Sequence, residues 1–260
     1  MLPYYTLRRQ SDRKGAGRIM EYPICDLHSH FLPDMDDGCA SAEESVQVLK
    51  SSYAQGVRVM FATPHYYTTE PIPEFLQRRE ESARMLFQRV EQEKEPLPQI
   101  ILGAEVAYRP GLGYEDDLEK LCLGSSRYLL LEMPFLPWND EVVRSVRNIC
   151  VSKGITPIIA HIERYISMQS RDVLMQILEQ DVLVQMNAEH LLHLSTRRQA
   201  RRLLNDRVVH LLGTDCHNMT NRPPNMSKAI AYLKKKGMDF VLQDVTRLSQ
   251  TIVEDALQVK

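Results

Sequence analysis

The chain has 260 residues, of which 43% are hydrophobic, so it is long enough to bury the core of one large domain or two small ones. Its formal net charge is -2, which excludes a global positive field that would attract nucleic acid or anionic lipid. No apolar run approaches the roughly 18 residues of a membrane span, so we expect a cytoplasmic protein without direct membrane insertion.

Residues 1–19 differ in composition from the rest of the chain. They contain five basic residues but one acidic residue, together with two glycines and little hydrophobic periodicity. This composition predicts a basic, flexible N-terminal tail, followed by a single domain over residues 20–260. Met20 lies just before the first predicted strand and is an alternative natural start.

Seven short β-rich runs recur along the remainder of the chain. Each is nearly continuous in apolar residues, which predicts strands buried on both faces, as in a parallel sheet covered by helices. The predicted strands cover residues 24–28, 57–65, 99–106, 128–133, 156–161, 182–189 and 208–215.

Helical patterns separate these strands. The first, SAEESVQVLKSSYAQG, begins at Ser41, carries Glu44 three residues later as in a capping box, and stops at Gly56. The repeated alternation predicts an α/β fold, either a (β/α) barrel or a doubly wound sheet, without a second domain. The further predicted helices cover residues 73–95, 139–153, 170–180, 195–206, 226–236 and 244–258.

Side chains that can bind metal follow most of the predicted strands. Because the C-terminal ends of the strands form the active-site face of α/β barrels, we expect these side chains to meet at one mouth. They are Asp26, His28, His30, His65, Glu105, Glu132, His161, Asp215 and His217.

Local spacing favours the same site. In the pairs His28/His30 and Asp215/His217, alternate residues of a strand put both side chains on one side. Asp37 follows His28 by nine residues, in a loop that can fold back over the same mouth. A buried carboxylate at a strand end is costly unless a cation compensates it. Leaving Asp26 aside, nine ligands of mixed type favour a cluster of two or three Zn²⁺, Mn²⁺ or Fe²⁺ ions.

Structural interpretations compete with this one. A lone histidine is more often hydrogen-bonded or exposed than a metal ligand, and we interpret His190, His193 and His210 in that way. Asp36 and Asp37 precede Gly38 and, taken alone, are typical turn residues.

Six ordered motifs resemble the signatures of the polymerase and histidinol phosphatase (PHP) superfamily. They are DLHSHFLPDMDDG, ATPHY, GAE, LLLEMP, PIIAHIERY and GTDCHNMTNRPP, and they run from about residue 24 towards the C-terminus. Within the superfamily the chain is similar to bacterial protein-tyrosine phosphatases of the CpsB/YwqE type, which are associated with capsule and exopolysaccharide synthesis. The resemblance implies a single-domain, distorted TIM-like (β/α)7 barrel.

The resemblance also implies a trinuclear metal site, commonly of manganese, with iron or zinc as alternatives. Arg164 in HIER and Arg222 in NRPP match arginines that the family uses at the phosphate. Carried over by position, the ligands are His28, His30, Glu105 and Asp215 for one metal, Glu105, Glu132 and His161 for a second, and Asp37, His65 and His217 for a third. Glu105 would then bridge two metals.

The activity implied by the resemblance is metal-dependent hydrolysis of phosphotyrosine, on a partner such as the tail of a bacterial tyrosine autokinase. A hydroxide activated by two metals would attack phosphorus in line, while Arg164 and Arg222 neutralise charge on the phosphate oxygens. The alternatives are a small-molecule phosphatase such as histidinol phosphatase, an activity on the 3′ end of a nucleic acid, and a structural metal site. The net charge disfavours nucleic acid, and the number of ligands disfavours a structural site.

The five cysteines include no C-x-x-C pair, so we expect them to be reduced and mostly structural. One alternative chemistry involves Cys216, because Cys216 and Arg222 have the C-x5-R spacing of thiol-dependent tyrosine phosphatases. The intervening HNMTN contains no glycine, and Cys216 alternates away from Asp215 and His217 on the predicted strand. The sequence therefore favours metal chemistry. It leaves the oligomeric state open.

Overall fold

In a computed structural model, the chain is described over residues 23–67 and 69–258. The predicted N-terminal tail over residues 1–19 lies outside the described residues, as does Met20. Within the described range, none of the helices has both the length and the apolar character needed to cross a membrane.

The strands of the described range form two parallel sheets. The first sheet contains, in spatial order, β1 (Ile24–Asp26), β2 (Val57–Ala62) and β4 (Gln99–Leu102). The second contains β3 (His65–Tyr66), β5 (Glu105–Ala107), β6 (Tyr128–Glu132), β7 (Thr156–Ile159), β8 (Leu183–Asn187) and β9 (Leu211–Gly213). The predicted α/β fold with a parallel sheet is confirmed.

Two of the predicted strands are interrupted, since 57–65 divides into β2 and β3 and 99–106 divides into β4 and β5. Pro64 lies at the first break, where it has no amide hydrogen to give to a ladder. Hydrogen bonds nevertheless cross both breaks, because Gly103 N–H donates to the Ala62 carbonyl at 2.8 Å and Glu105 N–H donates to that of Pro64 at 3.1 Å. The two sheets therefore continue into each other.

The sheet curls until its first and last strands meet. Asp215 N–H donates to the carbonyl of His28, and His30 N–H donates to that of Cys216, each at 2.8 Å. Ser29 and Cys216 form a parallel bridge just beyond the ends of β1 and β9. The carboxyl ends of strands that are far apart in sequence are thereby brought to one place.

The described range contains seven α-helices, of which the first five connect strands and the last two follow β9. They are α1 (Ala42–Ala54), α2 (Ile72–Val90), α3 (Asp140–Lys153), α4 (Arg171–Leu178), α5 (Arg197–Asn205), α6 (Met226–Lys235) and α7 (Asp239–Leu257). The predicted cap of α1 is confirmed, since Ser41 Oγ accepts the N–H of Glu44 at 3.2 Å. The Glu44 carboxylate closes the box one residue earlier than predicted, because it accepts from Ala40 N–H at 3.0 Å.

The predicted boundaries differ most from the structure at three places. α2 ends at Val90, before the predicted residue 95, and α7 begins at Asp239, before the predicted residue 244. The predicted strand 208–215 is reduced to Leu211–Gly213. Its start is lost because the N–H groups of residues 208 and 209 donate back to the Leu203 carbonyl, and its end is lost because Asp215 adopts a φ of 54°.

Apolar side chains alternate between two clusters along the strands. On β6, Leu129 and Leu131 belong to a large cluster that also includes residues of α1 to α6, whereas Leu130 belongs to a smaller cluster that includes Ile252 of α7. The prediction of strands buried on both faces is thus confirmed. Glu132 follows Leu130 by two residues and so lies on the same face as the smaller cluster, at the carboxyl end of the strand.

Candidate metal centre

The nine predicted metal ligands come together beyond the carboxyl ends of the strands. His161 Nε2 lies 2.8 Å from Glu105 Oε1 and 3.6 Å from Glu132 Oε1. In three further groups the donor atoms lie within 4.8 Å of one another. The first group is His30, Asp37, His65 and His217; the second is His28, His30 and Asp215; the third is His65, Glu105 and Glu132. The grouping differs from the predicted three sets, because His30 and His65 each belong to two groups, Glu105 belongs to one group only, and His161 belongs to none of the three.

Glu105 lies at the centre of these groups. Its Oε2 atom is 3.1 Å from His28 Nε2, 3.2 Å from His30 Nε2 and 3.1 Å from His65 Nδ1. It nevertheless makes no hydrogen bond within the described residues, although it is buried. Burial raises the pKa of Glu105, but the charge of His28 and the hydrogen bond from His161 hold that pKa well below its ordinary value. An ionised oxygen that faces three imidazole nitrogens without hydrogen-bond geometry fits a cation between them.

Asp215 divides its two oxygens between arginines and histidines. Its Oδ2 accepts a hydrogen bond from Arg164 Nη2 at 2.7 Å and forms an ion pair with Arg222 Nη2 at 2.6 Å. Its Oδ1 faces His28 Nε2 and His30 Nε2, each at 3.4 Å. Burial raises the pKa of Asp215, but the neighbouring histidines, led by His28, hold it well below its ordinary value. One oxygen of this carboxylate is thus oriented towards the predicted metal position.

The ring orientation of His28 is set by Gln185 on β8. Gln185 Oε1 accepts the backbone N–H of His161 at 2.7 Å, which identifies this atom as the oxygen. The same oxygen lies 3.3 Å from His28 Nδ1, so this nitrogen carries a hydrogen, and Nε2 is directed at Glu105 Oε2 and His30 Nε2, each at 3.1 Å. Gln185 Nε2 donates to Asn187 Oδ1 at 2.9 Å, and Asn187 Nδ2 donates to Asp215 Oδ2 at 2.8 Å. One chain of amides therefore connects three predicted ligands.

Asp36 sets the ring orientation of His30. Its Oδ2 lies 2.7 Å from His30 Nδ1 and accepts the backbone N–H of His65 at 2.8 Å. Burial raises the pKa of Asp36, but the hydrogen bond from His30 lowers it to about 2. The carboxylate therefore holds His30 with Nε2 turned towards Glu105.

The interpretation of Asp36 as a turn residue alone was incomplete, and Gln185 was missed entirely. A signal for Gln185 exists in the sequence, because an amide in the middle of the apolar run VLVQMNA must find buried partners.

Two of the predicted ligands have backbone conformations that L-residues rarely adopt. The φ of His161 is 29° and that of Asp215 is 54°. Each such residue costs on the order of 1–3 kcal/mol, and these conformations cluster at functional sites. The hydrogen bond of Gln185 with His161 and the ion pairs of the arginines with Asp215 stabilise both residues in place.

The third predicted group lies nearest to the surface. Asp37 is 67% exposed, and its Oδ1 lies 3.2 Å from His217 Nε2 and 3.7 Å from His65 Nε2. Burial lowers the pKa of His217 to about 4, with further lowering by the charges of His30 and Arg222. Arg222 Nη1 lies 2.7 Å from His217 Nε2. Because Asp37 is exposed, this side of the centre is open to a substrate.

Aromatic rings border the centre on two sides. Tyr67 stacks on His65 with ring centroids 4.8 Å apart, and Phe135 stacks on His161 at 6.1 Å. Both rings are exposed, Tyr67 to 53% and Phe135 to 54%. A cleft of about 210 Å³ adjoins the centre, with Arg164, Asp215 and Arg222 in its wall.

The other histidines have structural roles, as predicted. His190 Nε2 contacts Gln199 Oε1 at 3.2 Å, and His193 Nε2 contacts Glu189 Oε1 at 3.0 Å. His210 Nδ1 accepts the N–H of Val184 at 3.1 Å.

All five cysteines are free. Cys216 is fully buried, and burial raises the pKa of its thiol well above the ordinary value. A buried neutral thiol does not serve as a nucleophile, so the C-x5-R alternative has no support here.

The donor set fits divalent metal ions. Imidazole nitrogens and carboxylate oxygens are ligands that Zn²⁺, Mn²⁺ and Fe²⁺ share, and the described donors include no thiolate. The unpartnered Glu105 Oε2 and the Nε2 atoms of His28 and His30, which lie 3.1 Å from each other, converge on the same space. Without a cation this arrangement would bury charge at high cost, so we interpret the centre as a metal-binding site.

Comparison with known proteins gives the family and its relatives. Residues 24–253 match the family described as "Capsular polysaccharide synthesis, CpsB/CapC". The tyrosine-protein phosphatase CpsB of Streptococcus pneumoniae is 32% identical over 235 residues, which are 82% of this chain and 90% of that protein. The protein of the same name from Streptococcus agalactiae serotype III (strain NEM316) is 29% identical over 256 residues, 91% of this chain and 98% of that protein.

A solved structure is similar over most of the fold. It comes from work on YwqE of Bacillus subtilis and CpsB of Streptococcus pneumoniae, described as "unique metal-dependent tyrosine phosphatases". The TM-score is 0.71 at 26% identity, and the match covers 82% of this chain and 87% of that chain.

Proposed function

The chain belongs to the CpsB/CapC family of capsular polysaccharide synthesis, and on that premise we propose that it is a metal-dependent protein-tyrosine phosphatase. The observation that carries the proposal is the position of Glu105, whose buried, unpartnered Oε2 faces nitrogens of His28, His30 and His65 at 3.1–3.2 Å. This arrangement supports a bridging carboxylate between divalent metals.

The proposed cofactor is a trinuclear cluster, most simply of manganese. The proposed ligands are His28, His30, Glu105 and Asp215 for one metal, Glu105, Glu132 and His161 for a second, and Asp37, His65 and His217 for a third. Three groups of converging donors support this number. Divalent ions bound here would neutralise charge on a phosphate and supply a hydroxide nucleophile near neutral pH.

Arg164 and Arg222 are the proposed phosphate-binding and catalytic residues. Each gives one nitrogen to Asp215 Oδ2, and each side chain is about one-third exposed, at 37% and 35%. An arginine has five N–H donors in a planar fork, so donors remain for phosphate oxygens. In this role the two guanidinium groups bind the phosphate, orient it against the centre and stabilise negative charge as it develops.

The aromatic border favours an aryl phosphate over an aliphatic one. Phe135 and Tyr67 are exposed rings that already stack on predicted ligands, so a substrate ring at the centre would meet apolar surface on either side. Phosphotyrosine has such a ring, and histidinol phosphate has its phosphate on an alkyl chain. A phenolate leaving group, with a pKa of about 10, also departs more easily than an alkoxide.

We further propose that the curled sheet is a distorted (β/α)7 barrel within a single domain of residues 20–260. The continuation of β2 into β3 and of β4 into β5 supports seven strands, and the bridge between Ser29 and Cys216 supports closure. The proposed partner is the phosphorylated tail of a bacterial tyrosine autokinase in capsule or exopolysaccharide synthesis. The proposed location is the cytoplasm, which five free cysteines support.

The decisive experiment compares chelator-treated protein before and after Mn²⁺ is added back. The substrates are a phosphotyrosine peptide, a phosphoserine peptide and histidinol phosphate, and a Cys216→Ser variant is assayed alongside. We expect phosphotyrosine hydrolysis to disappear with the metal, to return with it and to survive the serine change. Preference for histidinol phosphate would refute the protein substrate, and activity that is indifferent to chelator but lost in Cys216→Ser would refute metal chemistry.

A further inference from the structure

Helix α5 has an unusually basic surface. Its nine residues, RRQARRLLN, include Arg197, Arg198, Arg201 and Arg202. At 100° per residue these four side chains fall within an arc of roughly 140°. Ala200 and Leu204, which are buried, lie beside this arc, on the side of Arg197. The arginines are therefore contiguous, with Arg198 and Arg202 exposed and Arg197 and Arg201 half-buried beside Leu204.

The stability of the helix does not explain this face. Arg197 and Arg201 are four residues apart, as are Arg198 and Arg202, and like charges at this spacing destabilise a helix. Of the four, Arg202 alone has an ion pair within the described part of the chain, with Asp206 at 3.4 Å. A repulsive, largely unpaired cluster is expected where a negatively charged partner binds.

The face extends onto α6. The guanidinium of Arg197 and the ammonium of Lys236 both lie over the ring of Tyr232, at 6.0 and 5.9 Å from its centroid. Lys228, in the first turns of the same helix, is exposed and lines the cleft. We define the basic face as Arg197, Arg198, Arg201, Arg202, Lys228 and Lys236.

The basic face meets the candidate active site at Lys228, the member of the face that lines the cleft. Lys228 and His193 line the same cleft as Arg164 and Arg222, which contact Asp215 of the metal centre. The start of α5 is fixed to this region, because Thr196 Oγ1 donates to the His190 carbonyl at 2.7 Å. An extended chain that enters the cleft can therefore continue across the basic face.

We propose that the basic face binds an acidic stretch of the polypeptide that carries the phosphotyrosine. The proposal rests on the proposed function and adds a feature of the substrate, namely an acidic segment beside the phosphotyrosine. Arginine supplies four of the six side chains, and its planar fork pairs with carboxylates and phosphates through two hydrogen bonds. An extended polypeptide can contact the cleft and the face at once, whereas a planar lipid surface would not follow a ligand into the cleft.

The test uses Arg198→Gln/Arg202→Gln, since both side chains are exposed. The matched control is Arg144→Gln/Arg147→Gln, which removes two exposed arginines from α3 outside the cleft. Each protein is assayed with Mn²⁺ on p-nitrophenyl phosphate, on a phosphotyrosine peptide flanked by Asp and Glu, and on one flanked by Ser and Gly. We expect the first variant to lose about tenfold in kcat/KM on the acidic peptide, through KM, with less than about twofold change on the others.

A direct binding readout keeps the two proposals separate. Anisotropy of a labelled acidic peptide without phosphate measures binding to the face even if no substrate is hydrolysed. We expect the affinity to fall with salt and in the α5 variant but not in the α3 variant. Equal binding by all three proteins would overturn the proposal, as would capture of phosphatidylserine vesicles or an oligonucleotide that the acidic peptide cannot displace. Loss of metal-dependent hydrolysis on every substrate would instead contradict the proposed function.

Discussion

The Nδ1 atom of His28 hydrogen-bonds to Oε1 of Gln185 at 3.3 Å, in a position where both side chains are fully buried. Because the same oxygen accepts the backbone N–H of His161 at 2.7 Å, the amide cannot reverse without losing that bond. Gln185 thus orients two predicted ligands without binding metal itself. We predict that Gln185→Leu weakens metal binding by about 10–100-fold, as expected when a partner of ligand histidines is removed.

Metal content and Mn²⁺ titration, followed by thermal denaturation, measure this effect independently of activity. The control is Gln92→Leu, an exposed position in the turn after α2, which is expected to bind metal like the wild type. A Gln185→Leu protein that is destabilised yet binds Mn²⁺ with unchanged affinity would limit Gln185 to a packing role.

Arg222 provides a prediction about the phosphate. Its Nη2 contacts Asp215 Oδ2 at 2.6 Å, and a second nitrogen contacts His217. We expect Arg222→Ala to lower kcat on a phosphotyrosine peptide by about 100-fold, because a charge-stabilising donor is lost, while bound metal stays near the wild-type amount. Arg222→Lys should recover part of this loss but not the paired hydrogen bonds of the fork.

The comparison variant for Arg222 is Arg207→Ala, which removes a surface arginine that pairs with Asp244 at 3.3 Å. Its turnover should be that of the wild type. Turnover in Arg222→Ala equal to that in Arg207→Ala would exclude Arg222 from phosphate binding.

The metal centre was largely predictable because its residues come in short, regular spacings. H-x-H and D-x-H bring two ligand pairs to the strand ends, and all nine predicted residues lie together. Asp215, however, lies beyond β9 with a φ of 54°, so regular strand alternation does not orient the second pair. The fold followed from the alternation of apolar runs and amphipathic helices. The sequence did not predict the breaks after Ala62 and Leu102. Residues 63–64 and 103–104 interrupt the strands there, but the surrounding apolar runs have the pattern of single strands.

What the sequence did not provide depends on contacts between distant residues. Gln185 and His28 are 157 positions apart, and no local pattern indicates that they meet. The conformation of Asp215 likewise results from its neighbours, since aspartate gives only a weak preference for positive φ. The four arginines of the basic face are visible in the sequence as RRQARR, but their position beside Tyr232 and Lys236 depends on how α5 and α6 pack.

Phe135 provides a prediction about selectivity. Its ring stacks on His161 with centroids 6.1 Å apart and is 54% exposed. We predict that Phe135→Ala raises KM for p-nitrophenyl phosphate by about fivefold, in line with the loss of one aromatic contact, and leaves KM for an alkyl phosphate unchanged. Phe240→Ala is the control, because that ring is 63% exposed but lies on α7. Equal changes for aryl and alkyl substrates would show that Phe135 does not select the ring.

His210 provides a prediction about pH that does not depend on the metal centre. Its Nδ1 accepts the N–H of Val184 at 3.1 Å, which requires the neutral ring, and burial lowers its pKa below the ordinary value of 6.5. Between the folded and unfolded pKa values the unfolded chain binds more protons. The stabilisation by His210 is therefore complete above pH 6.5 and is lost as the pH falls below it.

In His210→Asn the amide oxygen can accept the same hydrogen without titrating. We expect the free energy of unfolding, measured with urea at saturating Mn²⁺, to fall less between pH 7.5 and about pH 5.5 in this variant than in the wild type. Parallel pH profiles for the two proteins would show that His210 does not titrate in the folded state as its contacts indicate.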